Sequence, residues 1–131
     1  DKMTNIIFKK IVKNIIHENK ILQIGVAFKE NVPDIRNSKA AELAKMFITK
    51  GYNIDIYDPI VDPIEVFNNY KLKLSNPNKK YDCIVIAVAN NFISNKNNNF
   101  IKIIKNSTII FDITGKYKKV FSNKKYRYWS L

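Results

Sequence analysis

The feature that most restricts the fold of this chain is a series of short apolar runs that alternate with stretches of helical periodicity. Three of the runs are nearly uninterrupted, at residues 20–28 (KILQIGVAF), 83–89 (CIVIAVA) and 108–113 (TIIFDI), and a fourth is NIDIY at 53–57. Continuous apolar strands are typical of parallel sheets that are covered on both faces. We therefore predict an α/β fold with a doubly wound, mostly parallel sheet flanked by helices.

The stretches between these runs carry apolar residues at the spacing of amphipathic helices. The first predicted helix covers the N-terminal residues to about Ile16. The second follows Asn37 or Ser38, either of which can cap it, and ends near Gly51. Further expectations are a short helix from Pro63, a brief strand at 71–74 and a helix at 99–106.

Charged residues cluster in the loop that follows the first predicted strand. Parallel strands place their carboxyl ends at one edge of a sheet, which is where ligands bind in folds of this class. The loops expected there are 28–37, 57–62, 89–96 and 113–119. In the first of them Lys29 and Arg36 could hold a phosphate, and Asp34, two residues from Arg36, could orient it. A solvated loop with weak local ion pairs is the alternative interpretation.

Composition limits the class of protein. The chain has 131 residues, enough for one domain, and begins with Asp1, so we expect a piece of a longer protein. Its formal charge of +12 suggests nucleic acid as a partner, but the lysines are spread along a chain rich in Lys, Asn and Ile, as an AT-rich coding sequence would produce. No apolar run reaches the roughly 20 residues that span a bilayer, and we expect no membrane partner. The single cysteine, Cys83, is predicted to be inert core and fits a reducing cytoplasm.

Several kinds of site are excluded by what the sequence lacks. Its three glycines, Gly25, Gly51 and Gly115, cannot form a G-x-G-x-x-G fingerprint or a P-loop. No His/Cys cluster could hold zinc, no metal site is expected, and no Ser-His-Asp set has credible placement. A flavodoxin-like signalling domain with Asp58 as phosphoacceptor lacks the acidic cluster expected before that residue, so we rank it last.

The motif FKENVPDIRNS at 28–38, followed by a helix and NIDIYDP, resembles the C-terminal domain of the UDP-glucose/GDP-mannose dehydrogenase family. The resemblance extends to DPIVDP at 58–63, YDCIVIAVAN at 81–90, IIFDITG at 109–115 and a closing YW at 128–129. It implies a Rossmann-like domain that binds the nucleotide of a sugar donor. Family members oxidise C6 of a nucleotide sugar twice, to a carboxylate, with two NAD⁺. The N-terminal domain of such an enzyme holds NAD, and a long central helix forms the homodimer.

Site residues follow from the resemblance by position. Phe28 and Lys29 match the pair that contacts the nucleotide sugar, and Arg36 matches an arginine that reaches NAD, with Asp34 as its support. Ser38 matches a serine at the helix start, a position that capping explains equally well. Thr114 stands where many members have a basic residue, and Lys116, two positions further on, is the candidate for a substrate-binding role in this turn.

The resemblance also divides the chain into two parts. Residues 1–18 are expected to be the end of the central dimerisation helix, and residues 19–131 the UDP-sugar-binding domain. The nucleophilic cysteine and the NAD loop of the family are absent, so this piece alone should be inactive. We expect a cytoplasmic enzyme of polysaccharide precursor synthesis, in the style of those acting on UDP-N-acetylhexosamines. The alternative is a stand-alone nucleotide or nucleic-acid binding module that uses the basic, aromatic tail from 116 to 131.

Overall fold

A computed structural model of the chain describes residues 1–30, 32–91, 93, 98–121 and 126–130. The helices are α1 (Lys2–Val12), α2 (Lys39–Thr49), α3 (Pro63–Tyr70) and α4 (Asn98–Ile101). The strands are β1 (Lys20–Ile24), β2 (Asn53–Tyr57), β3 (Tyr81–Ile86), β4 (Ile104–Asp112) and β5 (Arg127–Ser130). The five strands form one sheet in the order β2-β1-β3-β4-β5, and every neighbouring pair is parallel. The predicted α/β class and parallel sheet are therefore confirmed.

The sheet is covered on both faces, as the apolar strands predicted. On one face α1 and α2 pack on β1, β3 and β4 through Phe8, Phe47 and Phe111. On the other face the cover comes from α4 and the segment before β5, through Phe100 and Phe121. A third apolar cluster joins α2 and α3 to β2 and to the residues after β1. Cys83 is fully buried, as predicted, and burial raises the pKa of its thiol.

Local signals explain where the helices begin and end. Ser38 is the N-cap of α2, because its Oγ accepts a hydrogen bond from the N–H of Ala41 at 3.0 Å. Asp62 caps α3 in the same way, with Pro63 in the first turn. Gly51 follows α2 at φ +83°, in the left-handed region that favours glycine after a helix.

Several predicted boundaries were wrong. The first helix ends at Val12, not near Ile16. The first strand ends at Ile24 instead of residue 28, because Gly25 turns the chain at φ +98°. The segment 71–74 is not a strand, and its first residue, Lys71, is a left-handed C-cap of α3 at φ +59°.

The end of the chain differs most from prediction. The helix predicted at 99–106 is shorter than expected, because α4 ends at Ile101. Strand β4 begins at Ile104, which pairs with Tyr81 of β3. The tail was expected to be a possible binding segment, but it contains the edge strand β5, in which Trp129 pairs with Phe111. The predicted loop at 89–96 falls partly outside the described residues.

Candidate functional site

The loops that carry the predicted site lie at one edge of the sheet. Backbone hydrogen bonds extend the strand pairing past the strand ends: Gly25 N–H donates to the carbonyl oxygen of Tyr57, Ala87 N–H to that of Ile24, and Ile113 N–H to that of Ile86, each at 2.9 Å. The residues that follow β1, β2, β3 and β4 therefore meet at the carboxyl edge. The predicted grouping of these loops is confirmed for the described residues.

Gly25 allows the loops after β1 and β3 to approach each other closely. A Cβ added at Gly25 would lie 2.5 Å from the Cβ of Val88 and 2.8 Å from its backbone nitrogen. Its φ of +98° is also one that other residues rarely adopt. The glycine therefore sets both the direction of the loop after β1 and its contact with the residues after β3.

Asp58, at the end of β2, fastens the start of the same loop. Its Oδ2 accepts hydrogen bonds from the N–H groups of Val26 and Ala27 at 2.9 and 3.2 Å, and its Oδ1 accepts one from Ile60 at 2.9 Å. The residue is 7% exposed. Because its oxygens are buried and engaged, Asp58 is a structural anchor, and the geometry gives no support to a phosphoacceptor role.

The loop from Phe28 to Ser38 is closed at its base. Phe28 N–H donates to the carbonyl oxygen of Asp34 at 2.6 Å, which joins the two ends of its outer part. Ile35 is 2% exposed, and its carbonyl accepts a hydrogen bond from the Tyr70 hydroxyl at 2.5 Å. Ser38 Oγ donates to the carbonyl oxygen of Val26 at 2.7 Å, so the N-cap of α2 also ties the loop to its own start. The outer residues are thus presented on a fixed base.

The outer part of the loop presents an aromatic ring and two cations. Phe28 is 56% exposed, although it is a large apolar side chain. Lys29 is exposed and makes no ion pair with any residue that the structure describes. A phosphate would therefore meet the ammonium group of Lys29 without first displacing a carboxylate.

Arg36 and Asp34 form the ion pair that their spacing suggested. Arg36 donates from Nε and Nη2 to the two oxygens of Asp34, at 3.1 and 2.9 Å. The hydrogen bond from the Arg36 side chain, with a second from its backbone N–H, lowers the pKa of Asp34 to about 2. The Arg36 side chain is 85% exposed, so the guanidinium is held in one direction while it still faces solvent.

A buried carboxylate builds the turn after β4. Asp112 has no exposed surface and accepts five hydrogen bonds at 2.5–3.0 Å. The donors are the backbone N–H groups of Thr114, Gly115 and Tyr117 and the hydroxyl groups of Thr114 and Tyr128. Tyr128 belongs to β5, so the last strand is tied directly to this turn. This link was not predicted from the sequence, because β5 was not predicted.

Lys116 lies on this turn and contacts the loop after β1. Its Nζ is paired with Oε1 of Glu30, and the two side chains are 54% and 41% exposed. The structure therefore brings Lys116 to the loop that carries Phe28 and Lys29. Arg36, by contrast, is paired with Asp34 of its own loop. Glu30 was not among the predicted site residues, and no partner was predicted for Lys116.

The described residues contain neither a metal-binding cluster nor a membrane-spanning helix. Within the described ranges, no three His, Cys, Asp or Glu side chains lie close enough together to hold a metal ion. Among the helices of the same residues, none has the length and apolar character needed to cross a membrane.

Comparison with known proteins agrees with this geometry. Residues 22–119 match the model of the UDP binding domain of the UDP-glucose/GDP-mannose dehydrogenase family. Protein CapL of Staphylococcus aureus is 27% identical over 139 residues, which cover all of this chain and 33% of the relative. A UDP-N-acetyl-D-glucosamine 6-dehydrogenase of Salmonella typhi is 33% identical over 96 residues, which cover 67% of this chain and 23% of the relative.

A solved structure shares the fold. The UDP-N-acetyl-mannosamine dehydrogenase Cap5O of Staphylococcus aureus superposes with a TM-score of 0.71 at 22% identity, over 98% of this chain and 30% of the neighbour. The chain therefore spans about a third or less of the length of these relatives. The family model covers most of the chain, and the chain belongs to the UDP-glucose/GDP-mannose dehydrogenase family as its UDP binding domain.

Proposed function

We propose that this chain is the UDP-sugar-binding domain of an NAD-dependent nucleotide-sugar 6-dehydrogenase, which forms a UDP-uronic acid for polysaccharide synthesis. The observation that carries the proposal is the loop after β1. It places an exposed Phe28 and an exposed Lys29, without an ion-pair partner among the described residues, at the carboxyl edge of a parallel sheet. That edge is where ligands bind in folds of this class. Membership of the family supplies the class of ligand.

The site residues divide between two ligands in this proposal. Lys29 is a mobile point charge that suits the diphosphate of the UDP-sugar, and Phe28 offers its ring beside it. Lys116 reaches the same loop and is the second candidate for the phosphates. Arg36, held by Asp34, offers a fixed guanidinium at the other end of the loop, which we assign to NAD.

The chemistry itself is assigned to parts of the enzyme outside this chain. The three glycines cannot form the dinucleotide cradle, so only Arg36 is a candidate for contact with NAD here. Cys83 is fully buried and cannot serve as the nucleophile. NAD, when bound by the rest of the enzyme, would accept the hydride from C6 of the sugar. The isolated chain should therefore bind the nucleotide and catalyse nothing.

Four finer points belong to the same proposal. We infer a UDP-N-acetylhexosamine as substrate, because ENVPDIRNS resembles members of that kind and a curated relative is named for UDP-N-acetyl-D-glucosamine. Residues 1–18, of which α1 covers Lys2–Val12, are taken as the end of the segment that forms the dimerisation helix, and residues 19–131 as the binding domain. A homodimer and a cytoplasmic location for the full-length enzyme rest on the resemblance.

The alternative of a nucleic-acid module has the net charge of +12 in its favour. The aromatic residues of the tail, however, pack within the fold. Phe121 is 2% exposed, Tyr126 and Tyr128 pack against the same cluster, and Trp129 lies 5.3 Å from the ring of Phe111. Stacking platforms for single strands need open rings, so this tail is poorly suited to that role. A salt titration with single-stranded DNA would show tight, salt-sensitive binding if the alternative held.

Calorimetric titration of the chain with UDP tests the proposal. The wild-type chain should bind UDP, and Lys29→Met should weaken binding by about ten- to a hundredfold, the loss expected for one charge-assisted hydrogen bond. Lys50→Met is the matched control, because Lys50 is an exposed lysine at the opposite edge of the sheet. Equal losses in the two variants would reject the role of Lys29.

The division between ligands is tested in the full-length enzyme. Lys29→Met should raise the KM for the UDP-sugar and spare that for NAD, whereas Arg36→Met should do the reverse. Thermal melts of both variants serve as the control for folding. If both stay folded and lose affinity for the same ligand, the assignment is wrong.

A further inference from the structure

The contact between Glu30 and Lys116 is the one ion pair of the described residues that joins two loops of the proposed ligand edge. The residues are 86 positions apart in the chain, and the pair runs from the loop after β1 to the turn after β4. It therefore joins the two loops that the proposal assigns to the UDP-sugar. Lys29, next to Glu30 in sequence, makes no ion pair with any residue that the structure describes.

Hydrogen bonds hold the backbone near both ends of this pair. The Glu30 side is closed by the hydrogen bond from Phe28 N–H to the Asp34 carbonyl oxygen, at 2.6 Å. The Lys116 side is held by the five hydrogen bonds to Asp112. The two long side chains are about half exposed and can rotate away from each other. The pair can thus open without movement of either loop.

The relative strengths of the two interactions favour opening when a diphosphate arrives. An exposed pair between a lysine and a glutamate is weak, because water and salt screen it and two flexible side chains must be ordered. A diphosphate carries more negative charge than one carboxylate and is held in addition by its nucleoside. It also repels Glu30 at short range. Lys116 therefore gains by exchanging Glu30 for the ligand.

We propose that Glu30 is an internal counter-ion of the site, which occupies Lys116 in the ligand-free protein and is displaced from it by the diphosphate of the ligand. This inference rests on the proposed function, since it assumes that a nucleoside diphosphate binds at this edge. The Glu30–Lys116 pair then lowers the affinity for diphosphates by the strength of a surface ion pair. The affinity for a neutral nucleoside is not lowered, because a neutral nucleoside does not displace Glu30.

The opposite role makes the opposite prediction. If Glu30 stayed on Lys116 and held it toward the ligand, its removal would weaken binding. If Lys116 took no part in binding, relief of the repulsion of Glu30 could still tighten the binding of UDP, but the side-chain signals of Lys116 would differ between wild type and Glu30→Gln with UDP bound as well as without it. The sign of the change in affinity and the signals of Lys116 together therefore separate the three arrangements.

The test is a nuclear magnetic resonance titration of the 15.3 kDa chain and its Glu30→Gln variant with UDP and with uridine. Glu30→Gln should bind UDP about two- to fivefold more tightly than the wild type, the factor that corresponds to a surface ion pair, and should bind uridine equally. Glu18→Gln is the control. It removes the same charge from an exposed residue just before β1, at the opposite edge of the sheet, and should change the affinity for UDP far less.

A second readout in the same samples follows the displacement itself. The Cε and Hε signals of Lys116 should differ between wild type and Glu30→Gln in the free proteins and coincide when UDP is bound. Unchanged or weaker UDP binding by Glu30→Gln overturns the inference, as does a difference in the Lys116 signals that persists in the complexes. If neither protein binds UDP, the proposed function fails and this inference fails with it. If both bind and Glu30→Gln gains nothing, only this inference fails.

Discussion

Replacing Asp58 by alanine should destabilise the domain by several kcal/mol, although the residue touches no ligand in this account. The substitution removes the acceptor for the N–H groups of Val26 and Ala27, which are 0% and 3% exposed. A buried N–H left without a partner costs about 1–3 kcal/mol, so the two together amount to about 2–6 kcal/mol. The third donor, Ile60, is exposed, and water can replace its lost acceptor.

Urea denaturation followed by tryptophan fluorescence measures this loss. The single tryptophan, Trp129 of the edge strand β5, packs on Phe111 of β4 and reports on the unfolding of the sheet. Asp62→Ala is the matched control, because Asp62 is an exposed carboxylate with one capping bond to the N–H of Ile64, and its loss should cost about 0.5–2 kcal/mol. If Asp58→Ala cost no more than Asp62→Ala, the view of Asp58 as the anchor of the loop would be wrong.

Three further outcomes follow from the same structure. Gly25→Ala should destabilise by at least 2 kcal/mol in the same urea assay, because its Cβ would meet Val88 at 2.5 Å and its φ of +98° is unfavourable. The carboxyl-carbon signal of Asp34 should titrate near pH 2 in the native chain. In Arg36→Met the pKa of Asp34 should move back toward 3.8, because the Arg36 side chain is the main cause of the lowered pKa. The stability that this pair contributes is then present above about pH 4 and is lost as the pH falls toward 2. Cys83 should fail to react with a thiol reagent until urea unfolds the chain, because burial raises its pKa and closes access; rapid reaction in the native state would contradict that packing.

The fold class could be predicted because its determinants are local and repeated. The strand near 83–89 lies in an unbroken apolar run, and the strand at 53–57 alternates polar and apolar residues, so both could be identified without any partner. Helix α2 is followed by its stop, Gly51, and preceded by its cap, Ser38. Boundaries were less predictable when a backbone turn fell within an apolar run. Residues 25–28 look like a continuation of β1, but Gly25 ends the strand.

The errors near the end of the chain have a different cause. The apolar residues around Ile104 fit both a helix and a strand, and pairing with Tyr81 across the sheet selected the strand. β5 is short and half-exposed, and its apolar residues are Tyr128 and Trp129. Its sequence therefore resembles a basic tail, and only its pairing with β4 in the folded sheet makes it a strand. Choices that depend on a distant partner could not be made from the local sequence.

The candidate site shows the same division. The loop with Phe28, Lys29 and Arg36 was identified from one motif, and the Asp34–Arg36 pair follows from a spacing of two residues. The partner of Lys116 was not predictable, because Glu30 lies 86 residues earlier and the contact exists only once β1 and β4 share a sheet edge. The functional roles of these side chains stay predictions that binding experiments must test.

The position at which UDP binds tests the central claim most directly. Amide signals of the isotope-labelled chain should be assigned and followed as UDP is added. The account predicts that the largest shifts fall at the carboxyl edge, in residues 25–38 and 112–117, and that residues 17–20 and 50–53 at the amino edge stay unchanged. Shifts confined to the amino edge or to the basic tail, or no saturable shift at all, would contradict it.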